Sequence, residues 1–317
     1  NLWLNSPAID EQDKLEIKNL INNDPTGLEE AFYANLEFGT GGLRGIMGIG
    51  TNRMNKYTVG MATQGFANYL LQQFKNQQVS TVIAYDSRIN SVFFSQVAAN
   101  VLSANGIKVY IFDDIRPTPE LSFALKKLKC NSGIMLTASH NPKEYNGYKV
   151  YWDDGGQLVA PHDDNVISEV NNIKSPEEVK FDARPELINK IGKEIDEAYF
   201  AYLESLSLRP DLIEKFSDIK IVFSPLHGTA YKIMPEALRR FGFKNVIEVP
   251  PQNVPDGTFP TVISPNPEEK EGLQMSINKA IETDADILMA TDPDGDRLGI
   301  GIKVAKGNYE LLNGNQT

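Results

Sequence analysis

The chain has 317 residues, enough for about two domains that each bury a core. Its 31 Lys and Arg against 42 Asp and Glu give a net charge of −11, which argues against nucleic acid or an anionic membrane surface as a partner. The longest apolar run, Ala198–Leu203, is too short to span a membrane, and the single cysteine, Cys130, excludes a disulfide framework or a multi-cysteine zinc site. Residues 1–4 lack the pattern of a secretory signal, so we predict a soluble, cytoplasmic, globular protein.

The first fifty residues divide into a helical part and a glycine-rich part. Apolar residues at three- and four-residue steps predict helix from Ile9 to Phe38, with a break at Asp24–Gly27. The next segment, Phe38–Gly50, has too many glycines for a regular helix and matches neither nucleotide-binding fingerprint. It is predicted as a loop, either simply flexible or shaped so that the guanidinium of Arg44 reaches a phosphate.

From residue 81 onward, predicted strands and helices alternate in two similar runs. The first run consists of Thr81–Tyr85, Ser91–Asn105, Lys108–Phe112, Pro119–Lys129 and Ser132–Leu136. The second run consists of Ile219–Phe223, Lys232–Phe241, Asn245–Val249, Glu268–Thr283 and Ile287–Ala290. This order predicts an α/β fold with two doubly wound βαβαβ domains and mostly parallel sheets, residues 1–207 and 208–317. They would join near a helix at Ile191–Ser207, with Val159–Glu186 as a loop of the first domain.

A polar cluster follows the third strand of each run. Thr137–Pro142 follows in the first, and Thr291–Arg297 in the second. Ligands of parallel α/β sheets bind beyond the carboxyl ends of the strands, so we expect the two clusters to line one cleft.

Asp292, Asp294 and Asp296 alternate within six residues of the second cluster. Three carboxylates so close repel one another, and a hard divalent cation such as Mg²⁺ or Ca²⁺ relieves that repulsion. Arg297 and Lys303 stand where a calcium EF-hand needs Gly and Glu. The alternative is a solvated Asp–Gly turn, but three aspartates at the end of a buried strand favour a metal that also takes a phosphate oxygen.

Ser139 is the candidate nucleophile of the first cluster. The Gly-x-Ser-x-Gly nucleophile elbow is absent, and a loop serine most often caps a turn. Opposite a carboxylate metal loop, however, Ser139 becomes a candidate phosphoryl carrier, because phosphoserine offers three acceptor oxygens to a nearby cation. Lys149 is a candidate acid or base if neighbouring cations lower its pKa, and otherwise a solvated lysine.

Three motifs resemble the α-D-phosphohexomutase superfamily of phosphoglucomutases and phosphomannomutases. They are Thr-Ala-Ser-His-Asn-Pro at 137–142 with Tyr-Asn-Gly-Tyr-Lys at 145–149, Asp-Pro-Asp-Gly-Asp-Arg at 292–297, and Gly-Gly-Leu-Arg-Gly at 41–45. Residues 38–55 and 264–268 look like the branch that includes phosphopentomutases and larger bacterial phosphoglucomutases.

The resemblance implies a role for each motif residue. Ser139 would be the phosphorylated serine, and Asp292, Asp294 and Asp296 would hold one Mg²⁺ per chain together with it. Arg44, Arg297 and Asn141 would contact the phosphate. His140 would support the serine loop, and Lys149 would assist proton transfer at the sugar hydroxyl. The implied reaction reversibly moves a phosphoryl group between the 1- and 6-positions of a hexose, or the 1- and 5-positions of a pentose. It would pass through a phosphoserine enzyme and a bisphosphorylated sugar intermediate, with glucose 1,6-bisphosphate as activator.

The resemblance covers only the first two of the four domains of that family. The sugar-recognition loop of the third domain and the phosphate-gripping loop of the fourth have no counterpart in the sequence. Those loops orient the substrate, so we expect the 317-residue chain alone to be nearly inactive and to need domains 3 and 4 as partners.

Two other functions stay open. A haloacid-dehalogenase-like phosphatase would use Asp292 as nucleophile, but that motif needs Thr or Val where Asp296 stands and leaves Ser139 unexplained. A non-catalytic two-domain fragment would bind Mg²⁺ and a sugar phosphate without covalent phosphate.

Overall fold

The computed structural model describes residues 2–39 and 41–316. The predicted domain ends at Asn1 and Thr317, and Thr40 in the predicted glycine-rich loop, lie outside the described residues. The helices are α1 Leu2–Asn5, α2 Glu11–Asn23, α3 Pro25–Phe32, α4 Lys56–Gln73, α5 Ser91–Ala104, α6 Thr118–Leu128, α7 His162–Asn172, α8 Lys193–Ser205, α9 Pro210–Lys215, α10 Ala230–Phe241 and α11 Lys270–Thr283. The strands are β1 Gly42–Ile46, β2 Ser80–Tyr85, β3 Lys108–Phe112, β4 Ser132–Leu136, β5 Tyr145–Trp152, β6 Ile188–Ile191, β7 Lys220–Ser224, β8 Asn245–Glu248, β9 Ile287–Thr291, β10 Leu298–Ala305 and β11 Asn308–Leu312.

The first sheet has the strand order β1-β5-β4-β2-β3-β6 within the described residues. Strands β4, β2, β3 and β6 run parallel, and every residue of β2 is buried. Successive side chains of a strand face opposite ways: Ile83 packs in the core formed with α4 and α5, while Val82 packs with Leu121 of α6 and Ile195 of α8. Helices therefore cover both faces, which is why β2 carries apolar residues on both sides, from Val82 to Tyr85.

The second sheet has the strand order β11-β10-β9-β7-β8. Strands β9, β7 and β8 are parallel, and Val222 and Leu288 pack against Leu273 of α11. The predicted fold class, two α/β domains built on the same repeat, is confirmed.

Each parallel core is extended at one edge by antiparallel strands that the sequence analysis did not include. Strands β5 and β1 are added beyond β4, and β10 and β11 beyond β9. The glycine-rich segment predicted as a loop therefore contains strand β1, whose Arg44 lies opposite Gly147. Glycine is needed at position 42, where φ is +142° and a Cβ atom would lie 1.8 Å from the carbonyl oxygen of Tyr148.

The prediction of a loop over Val159–Glu186 is wrong for part of that segment. Helix α7 occupies it, with Val166 completely buried in the first core. It packs on α4, where a Cβ atom on Gly65 would lie 2.5 Å from the Cα atom of Val170. Most of the polar residues that suggested a loop, such as Asp164, Asn165 and Asn171, face solvent, and tertiary contact with α4 decides the helix. Among the described residues, no helix is long and apolar enough to cross a membrane.

Candidate active site

The loops that follow β4 and β9 meet across the boundary between the two sheets. The hydroxyl of Ser139 donates a hydrogen bond of 2.6 Å to Oδ2 of Asp292, and both residues are buried. The Nζ atom of Lys149, on β5, lies 2.7 Å from Oδ2 of Asp294 and 2.8 Å from Oδ2 of Asp296. The structure thus brings the serine, the lysine and the three aspartates into one cluster.

Ser139 is held in an uncommon backbone conformation. Its φ of +53° lies in the left-handed region, which is costly for residues with a Cβ atom. Its amide donates to the hydroxyl oxygen of Thr137 at 2.8 Å, and that hydroxyl donates to Oδ2 of the buried Asp86 at 2.7 Å. These contacts turn the Ser139 side chain toward the second domain.

The side chain of His140 contacts that of Ser139, although residues adjacent in sequence need not have side chains in contact. Its Nδ1 atom lies 3.2 Å from the Ser139 hydroxyl oxygen, and its carbonyl oxygen accepts a hydrogen bond of 3.0 Å from Ser264. Burial and the charges of Arg297 and Arg44 lower the pKa of His140. The neutral imidazole is therefore favoured beside the serine hydroxyl.

The aspartate loop suits a divalent cation. Carboxylate oxygens of Asp292, Asp294 and Asp296 lie within 4.8 Å of one another, and Oδ1 of the buried Asp294 has no hydrogen-bond partner. Burial and the charge of Asp294 raise the pKa of Asp292. Burial acts in the same direction on Asp294, but Lys149 outweighs it and lowers that pKa. Crowded, partly unpaired carboxylates of this kind match the oxygen ligands of Mg²⁺.

Two threonines fix the aspartate loop. Thr118, the first residue of α6 in the first domain, donates its hydroxyl to Oδ2 of Asp294 at 2.9 Å and its amide to the Asp294 carbonyl at 2.8 Å. Thr229 in the second domain donates its amide to the carbonyl oxygen of Pro293 at 2.8 Å. Gly295 completes the turn with a φ of +69°. The loop is therefore built by residues of both domains.

Lys149 does not have the surroundings that its suggested lowered pKa required. Its neighbours are carboxylates rather than cations. Burial by itself would lower the pKa of Lys149, but the charges of Asp294 and Asp296 outweigh burial and raise it. The condition that neighbouring cations lower the pKa of Lys149 is therefore not met in this arrangement, in which Lys149 is held protonated.

The predicted phosphate-binding residues lie at the rim of the cluster. The exposed Arg44 donates from Nη1 to Oδ1 of Asn141 at 3.0 Å. The backbone amide of Arg297 donates to Oδ1 of Asp292 at 3.1 Å, and its half-buried guanidinium lies 3.5 Å from Glu268. Arg44 thus contacts the loop that carries Ser139, and Arg297 contacts Asp292, the hydrogen-bond partner of Ser139.

Sequence reasoning missed Asp86, Arg88 and Thr118. Asp86 and Arg88 directly follow β2, so the rule that pointed to the ends of β4 and β9 applies to them as well. Thr118 carried no such signal, because its partner Asp294 is distant in sequence and a threonine between two prolines reads as an ordinary helix start.

Comparison with known proteins places this geometry in a family. The α/β/α domain I of the phosphoglucomutase/phosphomannomutase family matches residues 35–177, and its α/β/α domain II matches residues 197–305. A phosphoglucomutase of Staphylococcus epidermidis is 40% identical over 315 residues, covering 97% of this chain and 56% of that protein. A human phosphopentomutase is 38% identical over 302 residues, covering 91% of this chain and 49% of that protein.

A solved structure of a phosphomannomutase-type protein from Thermus thermophilus superposes with a TM-score of 0.73 at 26% identity, over 87% of this chain and 58% of that one. The chain thus spans about half the length of the curated relatives it matches. With both domains matched, the chain belongs to the phosphoglucomutase/phosphomannomutase family, in the α-D-phosphohexomutase superfamily that its serine and aspartate motifs predicted.

Proposed function

We propose that this chain carries the phosphoryl-transfer centre of a sugar-phosphate mutase, with Ser139 as the covalent phosphoryl carrier. The observation that supports this most directly is the 2.6 Å contact between the Ser139 hydroxyl and Asp292, which comes from the other domain. In the transfer, a bond forms between Ser139 Oγ and phosphorus while the bond from phosphorus to the sugar oxygen breaks. The sugar oxygen gains the proton that the serine loses.

Asp292, Asp294 and Asp296 would hold one Mg²⁺, with an oxygen of phosphorylated Ser139 as a further ligand. The unpaired Oδ1 of Asp294 and the close carboxylate oxygens fit such an ion. When bound, Mg²⁺ neutralises charge on the transferring phosphoryl group.

The other side chains would orient the phosphoryl group and move protons. Arg44 and Arg297 at the rim supply positive charge to phosphoryl oxygens, and Asn141 positions Arg44. His140 lies beside the Ser139 hydroxyl, and Lys149 lies beside the aspartates that would hold the cation. The neutral imidazole suits proton acceptance, and the protonated lysine suits proton donation to a sugar oxygen.

The substrate class we propose is a hexose phosphate exchanging its 1- and 6-positions, or a pentose phosphate exchanging its 1- and 5-positions. The relatives named phosphoglucomutase and phosphopentomutase support both. We further propose a domain boundary at residues 207 and 208, between α8 and α9, and a dependence on domains 3 and 4 for substrate orientation. The 317-residue chain alone would then turn over slowly even though its carrier serine is competent.

Intact-mass measurement with phosphopeptide mapping tests the carrier role. The chain is incubated with Mg²⁺ and glucose 1,6-bisphosphate, and we expect a gain of about 80 Da on the Ser139 peptide. Ser139→Ala should abolish that gain, whereas Ser205→Ala, which removes an exposed hydroxyl on α8, should leave it intact. Phosphate on Asp292, or an equal gain in Ser139→Ala, would contradict the proposal.

The same experiment separates the mutase centre from a non-catalytic fragment. Binding of Mg²⁺ and sugar phosphate without covalent phosphate would favour the non-catalytic function for this chain.

A further inference from the structure

Arg88 contacts the loop that carries Ser139 from the protein interior, and the proposed function assigns it no role. Its side chain is completely buried. Nη1 donates to the carbonyl oxygens of Pro142 at 2.9 Å and Tyr145 at 3.1 Å, and Nη2 donates to those of Ser139 at 2.6 Å and of Asn141. One guanidinium therefore binds four carbonyl groups of a single loop.

The charge of Arg88 is matched within the same site. Its Nε atom lies 3.4 Å from Oδ2 of Asp86, which is also completely buried. Asp86 accepts hydrogen bonds of 2.7 Å from the hydroxyls of Ser91 and Thr137 and of 2.9 Å from the Arg88 amide. A buried charge is tolerated only when it is paired and hydrogen-bonded, so this ion pair is tied to one geometry of the loop.

The second domain covers this site. The ring of Phe259, itself buried, lies over the Arg88 guanidinium with its centroid 4.9 Å away. The backbone of Gly257 runs beside Arg88, and a Cβ atom there would lie 2.6 Å from the carbonyl oxygen of Ser87. Arg88 of the first domain thus binds the Ser139 loop, and Phe259 and Gly257 of the second domain cover Arg88.

The four carbonyl groups explain how the loop keeps its shape. Ser139 has a φ of +53°, a conformation that a serine adopts rarely and keeps only when its surroundings impose it. The carbonyl oxygens of residues 139, 141, 142 and 145 all accept hydrogen bonds from Arg88, which fixes the backbone around Ser139 while its hydroxyl donates to Asp292.

We infer that Arg88 is a positioning residue for Ser139, and that Phe259 completes its binding site from the second domain. This inference rests on the proposed carrier role of Ser139, because the direction of the Ser139 hydroxyl matters for function only if that hydroxyl carries the phosphoryl group. The planar guanidinium supplies donors in a fixed fork to four carbonyls at once, and the ring of Phe259 holds the plane of that fork. A lysine ammonium lacks the fork and cannot reproduce these contacts.

Hydrogen exchange of the 317-residue chain, followed by mass spectrometry, tests the inference without any phosphoryl donor. In Arg88→Lys we expect exchange in peptides covering 137–147 to rise by at least about tenfold, because several hydrogen bonds from a charged donor are lost. Peptides of β7 and β9 should be unchanged. The matched control Arg209→Lys changes an exposed arginine paired with Asp211 and should leave all peptides unchanged.

A second variant keeps Arg88 and removes only its cover. Phe259→Leu should also raise exchange in the Ser139 loop, while Phe216→Leu, at a half-exposed ring, should not. Exchange of the loop at the wild-type rate in both Arg88→Lys and Phe259→Leu would overturn the inference. A uniform rise across all peptides in both variants would also overturn it, because it would show a general structural role.

A functional measurement separates positioning from packing. In Arg88→Lys, Mg²⁺ affinity by calorimetry should match the wild type, since the three aspartates are unchanged, while phosphate incorporation at Ser139 should slow by about tenfold or more. Equal weakening of both would speak against positioning. If wild-type Ser139 takes no phosphate, the proposed function fails for this chain, and the exchange measurement still decides the role of Arg88.

Discussion

The Ser139 loop and the Asp292 loop occupy the same position in two similar sheets, yet they are held in different ways. Each joins a parallel strand to an antiparallel neighbour, β4 to β5 and β9 to β10. The first loop places a serine in the left-handed region and fixes it with the buried Arg88. The second loop places Gly295 there, at no comparable steric cost.

The difference follows from what each loop has to present. If Ser139 is the phosphoryl carrier that we propose, its loop has to hold one hydroxyl in one direction, and the left-handed backbone of Ser139 and the hydrogen bonds from Arg88 serve that purpose. If the aspartates hold the cation that we propose, their loop has to leave an oxygen such as Oδ1 of Asp294 without a protein partner, and it does so around a turn at Gly295. The same position in the repeated fold thus presents a serine hydroxyl in one domain and a cluster of carboxylates in the other.

The largest expected effect concerns the cation. Asp294→Asn keeps the size of the side chain but removes one of three charges from the cluster, so Mg²⁺ affinity should fall by about 100-fold. Calorimetric titration with Mg²⁺ measures this, and Asp211→Asn at an exposed position is the matched control. Unchanged affinity in Asp294→Asn would place the cation elsewhere and break the contrast between the two loops.

An intermediate effect tests whether the aspartate loop depends on the first domain. Thr118→Ala removes the hydroxyl that binds the buried Asp294, and we expect the free energy of unfolding in urea to fall by roughly 1.5–3 kcal/mol. Thr258→Ala removes a similar contact, 2.7 Å to Asp256 at the surface, and should cost less than about 0.5 kcal/mol. Equal losses of unfolding free energy in the two variants would mean that burial does not strengthen the hydrogen bond between Thr118 and Asp294.

The smallest effect isolates the packing of the aspartate turn. Gly307→Ala, at a φ of +73° with no atom within 4 Å of the new Cβ, should cost about 1 kcal/mol from backbone strain alone. Gly295→Ala, at a φ of +69°, adds a contact of 3.0 Å with the Cβ atom of Pro117 in the first domain, so it should cost about 1 kcal/mol more. Urea unfolding of both variants measures the two losses in free energy of unfolding. Equal losses would show that Pro117 moves away from the new Cβ atom without a measurable cost.

Much of the fold could be predicted because its signals are local. Strands β3 and β4 were predicted with the bounds that the structure gives, since short β-branched and apolar runs between turn residues are typical of buried strands. The polar clusters after β4 and β9 could also be predicted, because each directly follows a predicted strand in the sequence. Helix α7 and strand β1 were not, because their residues take their conformation from contacts with α4 and β5 that lie far along the chain.

By itself, the sequence determined the two repeated α/β units, the family and the residue types at the ends of their strands. Only the tertiary structure decided that Ser139 meets Asp292, that Lys149 is bound by carboxylates, and which buried groups hold these residues in place. Helix and strand patterns arise between residues a few positions apart, whereas these contacts join groups about 150 residues apart, whose meeting depends on how two whole domains pack.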